Sequence, residues 1–195
     1  VLLIIPLLSP LILAIMILNK LLYPKYPVFY SHTRIGKGEK PFKLYKFRTM
    51  VDAEPYKKGA EELSKYSNIF HVSKDEHSKK ITAFGAVLRK FYLDELPQLY
   101  NVLKGDMSLI GPRPVEEYHL NLWRQLHPEL HNLLKARFIA RPGVTGPWQI
   151  HNKKFDLTDR EIIQKDIDYI EKSSLTNDLR LAGMTITRIF GGAGE

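Results

Sequence analysis

The chain contains no cysteine. That excludes disulfides, thiol nucleophiles and thiolate metal centres, and it accords with a reducing compartment. It has no Gly-x-x-x-x-Gly-Lys segment, so no P-loop cradle for a nucleotide is encoded. Charge is absent from Val1 to Leu18, where Ser9 is the sole side chain that is not apolar. Acid is the scarcer sign: 21 Asp and Glu stand against 29 Lys and Arg, a formal charge of +8. Such a balance favours anionic partners, namely phosphates, anionic lipid or nucleic acid. No repeat or low-complexity tract is present, and 195 residues suit one domain with a real core.

The uncharged front end reads as a membrane segment. As a straight helix it spans roughly 27 Å at about 1.5 Å per residue, close to the thickness of a bilayer core. Pro10 removes a backbone hydrogen bond, and the Ser9 hydroxyl is placed to satisfy a freed carbonyl. Two readings stand open: a kinked crossing, or a re-entrant helix bent at Ser9-Pro10 with both ends on one face. The second is carried forward. Lys20, Lys25, Arg34, Lys37, Lys40 and Lys43 follow, which predicts a cytoplasmic globular part.

Val28–Ile35 and Pro41–Met50 read as the strands of a hairpin turning at Gly36-Lys37-Gly38 and presenting Lys43, Lys46 and Arg48. Phe84, Val87, Leu88 and Phe91 mark a short amphipathic helix carrying Arg89. Glu116–Arg137 is helical, restarting at Pro128. Thr158-Asp159-Arg160-Glu161 is a capping box for a helix to about Lys172, and Leu175–Phe190 forms the last one. The expected fold is α+β and mostly helical: a re-entrant membrane helix over 1–22, a catalytic domain over 23–190 with a small β-hairpin and amphipathic interfacial helices, and a disordered tail over 191–195.

Asp94 and Glu95 form the leading chemical candidate. They precede Pro97, which is tolerated in a first helical turn, and Leu96, Leu99, Tyr100 and Leu103 recur at helical spacing before a stop at Gly105. A helix start at the dyad keeps a carboxylate ionised and welcomes a phosphate. Acids in that position also serve as simple caps. Gly111-Pro112-Arg113-Pro114 and Arg141-Pro142-Gly143 brace two arginines between stiff residues, and a fixed guanidinium suits a phosphate. Pro142-Gly143 predicts a type II turn. His127 and His131, four apart, lack a third ligand and read as a solvated helix face. Trp123 reads as core, and Trp148 as a loop residue near substrate or interface.

Tyr45 to Met50, Leu93 to Leu99, Asn101 to Ser108, Gly111 to Pro114 and Arg141 to Gly146 together resemble the bacterial sugar transferases, the monotopic phosphoglycosyl transferases. The resemblance runs from Ser9-Pro10 to the last helix. It implies transfer of a sugar-1-phosphate from a UDP-sugar to polyprenol (undecaprenyl) phosphate with release of UMP, at the cytoplasmic face of the bacterial inner membrane. It implies that Asp94 is the nucleophile, that Glu95 and Asp94 hold Mg²⁺, and that Arg113 binds phosphate. Arg89, Arg141, Lys46 and Arg48 are expected to assist, and Asp168 matches an acidic position of the family. Tyr92, and Gln149-Ile150-His151-Asn152-Lys153, depart from the usual pattern and bear on nucleotide and sugar selection. The Pro55–Lys80 insert is long for a small member. A non-catalytic membrane assembly subunit and a basic nucleic-acid-binding protein are the rival readings. No nucleic-acid motif supports the latter. The sugar, the glycan pathway and the oligomeric state are left open by the sequence, a homo-oligomer included.

Overall fold

A computed structural model describes residues 4–51, 80–147, 150 and 157–190. The 191–195 tail, Trp148, Gln149, residues 151–153 and nearly all of the Pro55–Lys80 insert lie outside these described residues. The fold is mostly helical with small two-stranded sheets and one apolar N-terminal helix.

That helix, α1, is Ile4–Leu22 and stays helical through Ser9 and Pro10. Pro10 has no N–H to give the Pro6 carbonyl, and the Ser9 hydroxyl donates to that carbonyl instead, at 2.8 Å. The pair is thus a repaired turn inside a continuous helix, not an interruption of it. Leu7, Leu13, Ile17 and Leu21 are exposed, whereas Ile15 and Asn19 are buried. Ile15 packs with Phe47 and Leu88. Asn19 Nδ2 donates to the Arg48 carbonyl at 2.8 Å. The far half of α1 is therefore docked on the globular part while most of its apolar surface stays open.

β1 (Phe29–Ile35) and β2 (Pro41–Phe47) pair antiparallel, with Tyr30 opposite Lys46, His32 opposite Leu44 and Arg34 opposite Phe42. The reversal is a 3-10 turn, Lys37–Glu39, in which Gly38 takes φ +64°. β2 stops at Phe47 rather than Met50. Thr82 N–H captures the Thr49 carbonyl at 3.0 Å, and Met50 bridges to Ile81. Side chains alternate across a strand, so Lys46 and Lys43 point to opposite faces. Lys43 instead donates to Thr33 Oγ1 on the exposed side, at 3.0 Å. The hairpin thus presents Lys43 and Lys46 on different faces, and Arg48 lies just past the end of β2.

α2 (Ala83–Lys90) is capped by the Thr82 side chain. α3 (Gln98–Lys104) ends on Gly105 at φ +85°, the expected left-handed stop. Between them, Leu93–Glu95 is a separate 3-10 turn. The dyad therefore lies before α3, not in its first turn. Pro97 has no N–H to bond the Leu93 carbonyl, and Leu96 N–H takes that carbonyl at 3.3 Å, closing the tighter i→i+3 turn.

β3 (Ser108–Ile110) pairs parallel with β4 (Gly143–Thr145). α4 (Glu117–Leu126), a 3-10 turn at Pro128–Leu130 and α5 (His131–Arg137) realise the predicted helix and restart. α6 (Asp159–Glu171) opens with the reciprocal Thr158/Glu161 capping box, and α7 is Leu175–Phe190. The main core joins Ile35 and Val115 to Leu120, Trp123, Leu134, Ile162 and Ile163. Trp123 is fully buried, as its place in the leucine-rich face predicts.

Candidate active site

The site lies where the hairpin, the dyad turn and the two proline-braced loops meet. Asn101 of α3 locks the first two together. Fully buried, it donates through Nδ2 to the Lys43 carbonyl at 2.7 Å and accepts from Tyr45 N–H at 3.2 Å. Its own carbonyl takes the N–H groups of Asp106 and Met107. With α3 clamped to β2, Lys46 projects onto the dyad. Its Nζ lies 2.6 Å from Glu95 Oε1 and 3.9 Å from Asp94 Oδ2. Asp94 is 7% exposed. A buried carboxylate, a neighbouring carboxylate and one shared ammonium are thus fixed by two rigid elements. Tyr92, just before the turn, sits in the left-handed region at φ +55°, an uncommon conformation for a side chain of its size.

The braced loops are brought together by β3 and β4. Gly143 N–H donates to the Pro112 carbonyl at 2.9 Å, and Gly111 N–H to the Thr145 carbonyl at 3.0 Å. Gly143 is in the strand and has no positive φ, so the expected type II turn is absent. Glycine is needed there for space: a Cβ would stand 2.1 Å from Gly111 N.

A small polar pocket opens between these parts, lined by His32, Arg34, Lys46, Glu95, Gln98 and Arg113 among others. Arg34 pairs with Glu116 at 3.0 Å. Burial draws Arg34 down to about 10, partly opposed by Glu116, so it stays charged at neutral pH. His32 falls to about 2, from burial first and then from the charges of Arg34, Lys46, Arg113 and Lys43, so it is neutral. The wall thus sets cations beside the Glu95 carboxylate, a lining whose chemistry suits an anionic group such as a phosphoryl.

Arg113 reaches this pocket from a backbone held from behind. Arg137 is 2% exposed. Its Nε donates to Asp166 Oδ2 at 2.8 Å, and its Nη2 donates to the Arg113 carbonyl. Its guanidinium lies 5.5 Å from the ring centroids of Trp123 and Phe138.

The other expected residues are placed differently. Arg89 bonds Thr49 Oγ1 at 3.0 Å and Met50 Sδ, bracing the segment after β2. Arg48 donates to the Pro27 carbonyl at 2.9 Å and lies over the Tyr30 ring. Arg141 is exposed and is not part of the pocket wall. Asp168 is exposed, accepts from Gln164, and edges a separate open groove with Lys165, Lys172 and Arg180. Asp166, not Asp168, is the acid of α6 connected to the site. His127 lies 3.5 Å from Asp159 Oδ2 and 3.4 Å from Glu129 Oε1. No group of three metal-ligating side chains occurs among the described residues.

Sequence reasoning missed His32, Gln98, Asn101, Arg137 and Asp166. Period-two alternation was the available signal for His32, because it shares a face with Arg34 and, through the register, with Lys46.

A family model described as bacterial sugar transferase matches residues 1–192. The chain belongs to that family. It is 39% identical over 193 residues to the UDP-N-acetylgalactosamine-undecaprenyl-phosphate N-acetylgalactosaminephosphotransferase of Aeromonas hydrophila, covering 97% of this chain and 41% of that protein. It is 37% identical over 172 residues to the galactosyl transferase CpsE of Streptococcus agalactiae serotype III, covering 86% of this chain and 36% of the relative. The exopolysaccharide production protein ExoY of Rhizobium meliloti is 37% identical over 193 residues, with 93% of this chain and 77% of ExoY covered. The chain thus spans well under half of two of these relatives and most of the third.

Proposed function

We propose that this chain transfers a sugar-1-phosphate from a UDP-sugar to polyprenol phosphate and releases UMP, starting the assembly of an exopolysaccharide, capsule or related glycan. The observation that carries the reading is the buried Asp94 beside Glu95 and Lys46, the latter two lining a pocket together with Arg34 and Arg113. The Aeromonas hydrophila relative, named for a UDP-sugar donor and an undecaprenyl-phosphate acceptor, supplies the substrate class.

In this reading Asp94 attacks the β-phosphorus of the UDP-sugar. An Oδ–P bond forms, the P–O bond to UMP breaks, and an aspartyl-phosphosugar remains. A phosphate oxygen of the lipid then attacks the same phosphorus and restores the Asp94 carboxylate. Arg34, Arg113 and Lys46 hold phosphoryl oxygens and offset charge as UMP departs. Asp94 and Glu95 would hold Mg²⁺. Two adjacent carboxylates suit that ion, which binds through one or two protein carboxylates plus substrate phosphates. When bound it neutralises the diphosphate and the leaving group. α1 is read as the re-entrant anchor in the bacterial cytoplasmic membrane, with the catalytic part facing the cytoplasm. The exposed Leu175, Leu179, Met184 and Ile186 of α7 are read as meeting the lipid interface.

The test is UMP release by purified chain given Mg²⁺, a panel of UDP-sugars and polyprenol phosphate. Asp94→Asn should abolish release. Undiminished release from that variant removes Asp94 as the nucleophile, and silence of the wild type across the panel removes the transferase reading.

A further inference from the structure

His32 stands out among the pocket's side chains because its own hydrogen bonds are unmade. Both ring nitrogens are shielded from solvent, and neither has a partner among the described residues. A polar group left so is costly unless a ligand completes it. The ring is not on a loose loop. It is held at the centre of β1, opposite Leu44, on the face that carries Arg34. It lines the same cavity as Glu95 and Arg113.

The kind of hydrogen bonding on offer narrows the ligand. Arg34, Arg113 and Lys46 can only donate. A neutral imidazole gives one N–H and one lone pair. Among several cations a phosphate is fully ionised and only accepts, so it satisfies the N–H but not the lone pair. No described side chain gives that lone pair an N–H, so an O–H of the ligand is what completes it. A sugar phosphate carries phosphoryl oxygens and hydroxyls within a few bonds of each other, whereas a polyprenol phosphate has no hydroxyl beside its phosphate.

We propose that His32 contacts the sugar-phosphate part of the donor substrate, giving its N–H to a phosphoryl oxygen and taking a sugar hydroxyl on its other nitrogen. This rests on the transferase reading for the identity of the donor. It assigns His32 to donor binding, not to lipid binding and not to proton transfer.

The experiment uses the full chain in detergent micelles or nanodiscs. His32→Phe keeps a flat ring without hydrogen bonds and should raise KM for the UDP-sugar about ten-fold, the scale of one lost hydrogen bond to a charged group. Its kcat and its KM for polyprenol phosphate should stay at wild-type values. His32→Gln, which keeps a donor and an acceptor, should recover most of the loss and guards against misfolding of the Phe variant. Independently of turnover, the ¹⁵N resonances of the His32 ring should move when hexose 1-phosphate is added to wild-type protein. An unchanged donor KM in His32→Phe, a rise confined to the lipid acceptor, or ring resonances indifferent to hexose 1-phosphate would overturn the proposal. If the wild type released no UMP from any UDP-sugar while hexose 1-phosphate still moved those resonances, the transferase reading would fall and the sugar-phosphate contact would stand.

Discussion

Arg137 and Asp166 form an ion pair at 2.8 Å that water does not reach, and the same guanidinium ties down the carbonyl of Arg113. The position of Arg113, proposed above to hold phosphate, thereby depends on α5 and α6, which contribute no residue to the wall of that pocket. Charges this deep are expensive, so the pair is better understood as fixing one loop position than as raw stabilisation.

The first prediction concerns pH and that pair. Burial raises Asp166 from the ordinary 3.8 to about 6, with Arg137 pulling the other way. Between those values the folded chain keeps a proton that the unfolded chain has released. The contribution of Asp166 to stability is therefore complete below its unfolded pKa and is lost as pH rises through about 6. In Asp166→Asn that slope should vanish. Urea unfolding in micelles at pH 4.5 and pH 7 should show the wild type losing stability, relative to the variant, at the higher pH. A difference that is flat across this range would mean that Asp166 is ionised throughout.

Lys46 supplies the second. Its ammonium lies within 4 Å of both dyad carboxylates. Lys46→Met keeps much of the stem and removes the charge. UMP release should fall roughly 10²-fold in kcat, the scale of losing one fixed donor at a reacting phosphoryl group. Far-ultraviolet circular dichroism should be unchanged, because Asn101 still clamps α3 to β2. A kcat within three-fold of wild type would place Lys46 outside the chemistry.

The third prediction uses the absence of cysteine as a tool. With no native thiol to interfere, single cysteines at Leu7 and Leu21 report only their own positions. In native membranes both should react with an impermeant maleimide from the cytoplasmic side if α1 is re-entrant. Reaction from opposite sides would make α1 a crossing helix.

Much of this architecture was readable from residue order, and the failures have specific physical sources. Caps were the most reliable guide. Thr158 with Glu161, the stop at Gly105 and the restart at Pro128 all act locally, within a turn of the residues that encode them. The dyad turn was misread because Pro97 withholds the N–H that an α-turn there needs, and the end of β2 because a distant group competes for its backbone. Thr82 takes the carbonyl of Thr49, which sequence adjacency cannot reveal. Gly143 suggested a turn on local grounds, yet it answers to the backbone of Gly111, far away in sequence. Within the site, Asp94, Glu95, Lys46 and Arg113 do converge. Arg48 and Arg89 were grouped with them from their places in the hairpin and in the helix before the dyad, and sequence position does not say which way a side chain leaves its strand or helix. Asp166 hides better than Asp168 because only burial separates two acids a residue apart.

Asn19 grips the carbonyl of Arg48, next to the strand that carries Lys46, while Ile15 wedges against Phe47 and Leu88. The far half of α1 and the Lys46 strand are therefore coupled as one lever. With α1 as the anchor proposed above, the depth at which it settles in a bilayer would set the height of Asp94, and lipid thickness would become a dial on whether a headgroup phosphate lies within its reach.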